Sequence, residues 1–209
     1  SNFSRDSKDQ SHTDNSPKYT DDIILPEALA GIKVLDLTQV LAGPTAGRTL
    51  AEFGADVIKI NNPKDPPEGY RYHVDVNRGK KTILLDLKSE QGIAVLWQLI
   101  KTTDVLLQNF TLGVAERLGF GYKQVKEQRP DIIYASVSAF GHCGPWGDRR
   151  GYEPHGQGIT GLQERFGRGN TPAMQPFAVT DYGTGILTAF GIGLAIYHRL
   201  RTGEGQEVE

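Results

Sequence analysis

Short runs of Val, Ile and Leu recur along the chain, separated by stretches whose apolar residues fall at helical spacing. Ile32 to Leu37 (IKVLDL), Asp56 to Ile60 (DVIKI), Thr82 to Asp86 (TILLD), Asp104 to Leu107 and Ile132 to Ser138 (IIYASVS) each predict a strand. The intervening segments predict helices. One runs from Thr45 to Phe53 after the turn Ala42-Gly43-Pro44 and stops at Gly54, and another covers Ser89 to Lys101 behind a serine cap, with Glu90 and Gln91 in its first turn. Shorter ones span Val114 to Leu118 and Tyr122 to Glu127, whereas Asn61 to Arg78 is polar and proline-containing and reads as a loop. Strands and helices in this alternation predict an α/β fold with a mostly parallel sheet flanked by helices.

The texture changes at Gly141. Glycine and proline become frequent up to Pro176, which predicts loops around one short helix near Gln157 to Leu162. Phe177 to Thr180 then reads as a short strand leading into Asp181 and a small-residue helix that ends near Arg201. Gly203 to Glu209 has the character of another strand's opening.

Composition sharpens this picture. Of 209 residues, 38% are hydrophobic and 23% charged, as in ordinary globular proteins. Residues 1–23 hold almost nothing to bury and read as a disordered polar tail, leaving 24–209 as one folded region. The tail's three basic and five acidic residues account for the whole net charge of −2, so the body is neutral and lacks the overall basic field that nucleic-acid binders use. The longest apolar stretch, Gly185 to Tyr197, falls short of the roughly 20 residues that span a bilayer, and no export signal is visible. A lone Cys143 forms no internal disulfide, and no Cys/His spacing suggests a metal site, which points to a reducing compartment such as the cytoplasm. The first residue is Ser, as expected of a processed or partial chain.

In a parallel α/β sheet, ligands sit beyond the carboxyl ends of the strands, so the loops after Leu37, Ile60, Leu107 and Ser138 are the places to look. None of the strand-to-helix turns reads G-x-G-x-x-G; the nearest, Gly183-Thr-Gly185-Ile-Leu-Thr188, lacks the third glycine. Phosphate loops, the serine nucleophile elbow and the H-E-x-x-H zinc motif are also missing. What remains is Asp181, at the start of a helix rich in small residues. Unpaired N–H groups and the helix dipole would keep such a carboxylate ionised, either as a nucleophile or simply as a helix cap.

Several stretches together carry a resemblance. Ile32-Lys-Val-Leu-Asp-Leu-Thr38, Val40-Leu-Ala-Gly-Pro44, Phe53-Gly-Ala-Asp-Val-Ile-Lys59, Asn77-Arg-Gly-Lys-Lys-Thr82, Gln108-Asn-Phe110, Arg117-Leu-Gly-Phe120 and Arg201-Thr-Gly-Glu-Gly-Gln206 resemble, in order, the family III coenzyme A transferases. The resemblance implies a Rossmann-like large domain, here incomplete, since family members are about twice this length. It implies transfer of CoA from an acyl-CoA to a carboxylic acid through an aspartyl-CoA intermediate, with Asp181 as nucleophile, Glu153 beside it and Gly183 as a donor to developing oxyanions. Val40, Leu41, Ala42, Asn109 and Phe110 would line the CoA path; Lys80 and Arg117, and more loosely Lys64, would approach its phosphates. Each lone cation could equally be a surface charge, and Phe110 a core residue.

The same resemblance implies CoA as a substrate, with no tightly bound cofactor, metal, nucleic acid or membrane partner. It further implies an interlocked homodimer or a separately supplied C-terminal half, so that a non-catalytic or partner-dependent half is an alternative. A racemase branch of the family carries His-Asp where this chain has Tyr152-Glu153. His155 lies out of register for that role, and Cys143 lacks the orienting partner a catalytic thiol needs.

Overall fold

The computed structural model describes residues 27–64 and 72–209; the sequence-predicted tail and residues 65–71 of the polar loop lie outside the described residues. Six strands form one parallel sheet: β1 (Lys33–Asp36), β2 (Asp56–Asn61), β3 (Lys81–Leu84), β4 (Val105–Gln108), β5 (Ile133–Ser136) and β6 (Glu207–Val208). Their order is β3-β2-β1-β4-β5-β6, and every neighbouring pair is parallel. The helices are α1 (Ala42–Glu52), α2 (His73–Val76), α3 (Glu90–Ile100), α4 (Val114–Arg117), α5 (Tyr122–Gln128), α6 (Glu153–Ile159), α7 (Leu162–Gly167) and α8 (Val179–Thr202).

Alternation along the strands divides the core into two layers. Val34 faces Leu50 of α1 and Ile192 of α8, whereas its neighbour Leu35 faces Leu96 of α3 and Val125 of α5. β4 and β5 are buried at every position, as expected of central strands covered on both faces, while β3 at the edge is largely open. Each fully buried Leu or Ile stabilises the fold by roughly 1.5–3 kcal/mol relative to exposure. The sheet is therefore anchored at its middle, beneath the loops that carry the chemistry.

Four boundaries differ from the sequence reading. Ala42-Gly43-Pro44 is the first turn of α1 rather than a turn before it; helical N–H groups there have no partner, so Pro44 costs nothing. The polar loop contains α2, and the single short helix expected near Gln157 is resolved into α6 and α7. Phe177 to Thr180 is not a strand, because Val179 and Thr180 already belong to α8 and the Phe177 ring stacks on Tyr182 at 5.1 Å.

The last helix, α8, ends at Thr202, next to the Arg201 read from the sequence. At 24 residues with mean hydropathy 1.3 it is long and apolar enough to cross a membrane by length and composition. Its Gly185, Ala189, Ile192 and Ala195 face, however, is buried against α1 and the sheet. The contact with α1 is close: a Cβ on Gly185 would stand 2.5 Å from the Ala42 carbonyl oxygen. The opposite face leaves Ile186, Phe190, Leu194 and Tyr197 exposed.

Candidate active site

The strand order reverses between β1 and β4, and a cavity of about 380 Å³ opens at the carboxyl ends of these strands. Gln39 to Ala42 after β1, Asn109 to Leu112 after β4 and Val137 to Ala139 after β5 form its walls, with Arg149 to Tyr152 at one side and Thr180, Asp181 and Thr184 of α8 at another. Three of the four loops singled out from sequence thus meet at one cavity. Described residues of the loop after β2 take no part in its lining.

Asp181 sits in the first turn of α8 and borders the cavity, yet it does not cap its own helix. Glu153, the first residue of α6, takes the cap instead. Its Oε2 accepts from Asp181 N at 2.7 Å and Thr180 Oγ1 at 2.6 Å, and its Oε1 accepts from Thr180 N at 3.1 Å and Gln157 Nε2 at 2.7 Å. Gln157, fully buried, is fixed in turn by Gln175 N at 2.8 Å. Burial pushes the Glu153 carboxyl upward, but these donors outweigh it and leave the group below its ordinary range. Asp181 has the opposite balance. Burial and then the neighbouring Glu153 charge raise its carboxyl to about 6, so it is mostly ionised at neutral pH although the helix terminus does not lower it. The free N–H groups that would have done so are occupied by Glu153.

Of the expected CoA-lining residues, Val40, Leu41, Ala42, Asn109 and Phe110 all border the cavity. Phe110 also packs edge-on against Phe120 at 6.0 Å, so it is partly core as well as wall. Val40 has φ +71°, a left-handed conformation that is a genuine outlier for a β-branched residue and costs about 1–3 kcal/mol. Both ends of the Asn109 amide are occupied, with Oδ1 accepting from Gln39 N at 2.9 Å and Nδ2 donating to Gln39 O at 2.8 Å.

Four other expected residues lie outside the cavity lining. The fully buried Nζ of Lys80 donates to Asp36 at 2.7 Å, Pro44 O at 2.8 Å and Asn77 Oδ1 at 3.0 Å, which uses all three protons. Burial would raise the Asp36 carboxyl, but Lys80 and then Lys59 outweigh it and hold it down. Gly183 lies past the first turn of α8, where its N–H belongs to the helical ladder. Arg117 is exposed at the end of α4 and Lys64 pairs with Asp86 at 2.8 Å; neither borders the cavity.

Arg149 and Arg150 are the cations that do border it, and both are exposed. Arg149 lies over the Trp146 ring at 5.4 Å. Sequence reading passed over them, although they sit in the glycine-rich loop after β5 to which the strand-end rule pointed. His155 accepts from Tyr152 N at 3.2 Å and lies outside the cavity lining, as does exposed Cys143. Among the described residues no cluster of His, Cys, Asp or Glu has the arrangement of a metal site.

Comparison with known proteins adds a family. A family model described as CoA-transferase family III matches residues 29–209. A succinate–glutarate CoA-transferase from Agrobacterium fabrum is 37% identical over 199 residues, covering 87% of this chain and 50% of the relative. A formyl-CoA:oxalate CoA-transferase from Rhodopseudomonas palustris is 39% identical over 196 residues, covering 88% of this chain and 46% of the relative. Among solved structures, a CaiB/BaiF family protein from Brucella suis is similar with a TM-score of 0.82 and 36% identity, covering 88% of this chain and 53% of that one. The chain spans about half the length of the curated relatives it matches.

Proposed function

The chain belongs to CoA-transferase family III, and from that premise we propose that it carries the CoA site and the nucleophile of an enzyme moving CoA from an acyl-CoA to a carboxylic acid. The observation that carries the reading is Asp181, a partly buried carboxylate on the cavity wall whose competing role as helix cap is filled by Glu153. An Asp181 oxygen attacks the thioester carbonyl, the C–S bond breaks, and CoA thiolate leaves a mixed anhydride. The thiolate then attacks the aspartyl carbonyl and expels the donor's carboxylate, giving an aspartyl-CoA thioester. Acceptor carboxylate repeats the two steps in reverse, and Asp181 is regenerated. No net proton is gained or lost.

The raised carboxyl of Asp181 suits this chemistry. A group titrating at about 6 is mostly ionised at neutral pH while being more basic than an ordinary carboxylate, and hence more nucleophilic. Glu153 is ionised just behind it and serves to orient α8 and keep Asp181 basic. Val40, Leu41, Ala42 and Phe110 supply apolar wall to the thioester arm, and Arg149 and Arg150 supply charge for phosphates or the acceptor. His155, engaged outside the cavity, offers no second acid–base group for a racemase. Incubation with an acyl-CoA and a labelled carboxylic acid should move label into the CoA thioester pool, and Asp181→Asn should stop it. Transfer undiminished in that variant would overturn the assignment.

One observation favours a partner-dependent form of this reading. The exposed stripe Ile186, Phe190, Leu194 and Tyr197 on α8 is an apolar face without cover among the described residues. Cover would come from the polypeptide completing the family length or from a second copy. Transfer by the chain alone, measured as a monomer by light scattering, would exclude this form.

A further inference from the structure

We propose that Asn109 is a positioning residue, which clamps the loop between β1 and α1 so that Val40 forms its wall of the cavity; the binding arm of this inference rests on the CoA reading above. Asn109 uses both atoms of its side-chain amide on the backbone of one residue, Gln39, accepting from its N–H at 2.9 Å and donating to its carbonyl at 2.8 Å. The next residue is Val40, at φ +71° and 43% exposed. Burial in a core does not force Val40 into that conformation. The loop around it does, because its backbone is tied on both sides.

Upstream, Thr38 donates its N–H to Asp36 at 2.9 Å, and Lys59 donates to the Thr38 carbonyl. Downstream, the Leu41 carbonyl accepts from Thr45 N at 2.9 Å and Thr45 Oγ1 at 2.8 Å as α1 begins. Gln39 is the link between these anchors, and Asn109 is its holder. The holder is itself fixed: Gln108 bonds Ser136 Oγ at 2.9 Å through its Nε2 and Phe110 N at 2.7 Å through its Oε1. The clamp therefore joins the ends of β1 and β4, the two strands that flank the reversal of strand order and the cavity. With both polar ends of its amide engaged, Asn109 acts on a ligand through the wall it shapes.

Three variants of the full chain test this: Asn109→Ala, Val40→Gly and the double variant. Exchange of the Gln39 amide proton, followed by hydrogen–deuterium exchange, should be slow in the parent and at least ~100-fold faster in Asn109→Ala, since a lost protecting bond exposes the amide to local opening. CoA affinity by calorimetry should fall about tenfold when Asn109→Ala is made in the parent but by no more than about threefold when it is added to Val40→Gly, because there the wall side chain that Asn109 positions is already gone. An Asn109→Ala change that still costs about tenfold in the Val40→Gly background would mean that Asn109 touches CoA directly, and would overturn the proposal. Gln39 exchange unchanged by Asn109→Ala would overturn it as well. If the parent does not bind CoA, the proposed function is what fails, and the exchange result alone decides the clamp.

Discussion

Replacing Glu153 with Gln perturbs both halves of the carboxylate pair at once. Glu153 accepts four hydrogen bonds, and each bond to a charged acceptor is worth roughly 1.5–3 kcal/mol. The substituted amide keeps one oxygen and turns an NH₂ toward donors, so two of those bonds are lost or opposed. A net loss of about 2–4 kcal/mol follows, lowering the melting temperature by roughly 4–16 °C for a chain of this size. The pH dependence has a definite sign. Glu153 is held below its ordinary value, so its stabilisation is complete above about 4.5 and disappears as pH falls through the folded value. The gap between parent and variant should therefore be widest near neutrality and close in acid.

Asp181 responds in the other direction. Its raised carboxyl disfavours folding progressively as pH climbs from the ordinary aspartate value of 3.8 to about 6, and part of that cost comes from the Glu153 charge. In Glu153→Gln its midpoint should fall below 6 yet stay above 3.8, because burial, the larger cause, remains. Carbon-13 carboxyl titration reads the midpoint, and calorimetric melts at several pH values read the stability. A variant that melts with the parent and titrates Asp181 at an unchanged midpoint would refute the reasoning.

Other outcomes follow from the same geometry. Lys80→Met should cost about 3–5 kcal/mol, read by chemical denaturation, by leaving Asp36 buried without its nearest cation. CoA affinity of the folded fraction should stay within about twofold, whereas a phosphate-binding lysine would lose about tenfold. Arg149→Ala with Arg150→Ala should weaken CoA binding measured by calorimetry and flatten its dependence on salt, with little change in melting temperature, since both side chains are exposed. Gly185→Val should lower stability by about 1–3 kcal/mol or more, because its Cβ meets the Ala42 carbonyl and Thr45 across the α1–α8 contact.

The parts of this molecule that were legible in its sequence are those set by short-range pattern. β4 and β5 were legible as strands from their Val, Ile and Leu, and both lie buried at every position. Ser89 was readable as a cap and indeed accepts from Gly92 N at 3.0 Å. What escaped depends on partners distant in the chain. Phe177 to Thr180 reads as a strand until Glu153, more than twenty residues earlier, supplies the acceptors that let α8 start at Val179. Lys80 belongs to a basic run that suggests an anion site, yet Asp36 lies 44 positions away and closes on it. The same holds for Asn109, whose partner is 70 positions away, and for Val40, whose φ no residue type announces. Arg149 and Arg150 had only one signal, their place in a loop following a strand end.

The central claim is that Asp181 becomes covalently bonded to CoA during turnover. Incubating the chain with an acyl-CoA and hydroxylamine tests it directly, since hydroxylamine attacks the aspartyl thioester, releases CoA and leaves a hydroxamate that peptide mass spectrometry locates. The account predicts a time-dependent hydroxamate on Asp181 alone, absent without acyl-CoA. Turnover of the acyl-CoA with Asp181 unmodified, or with the hydroxamate on Glu153 instead, would contradict it.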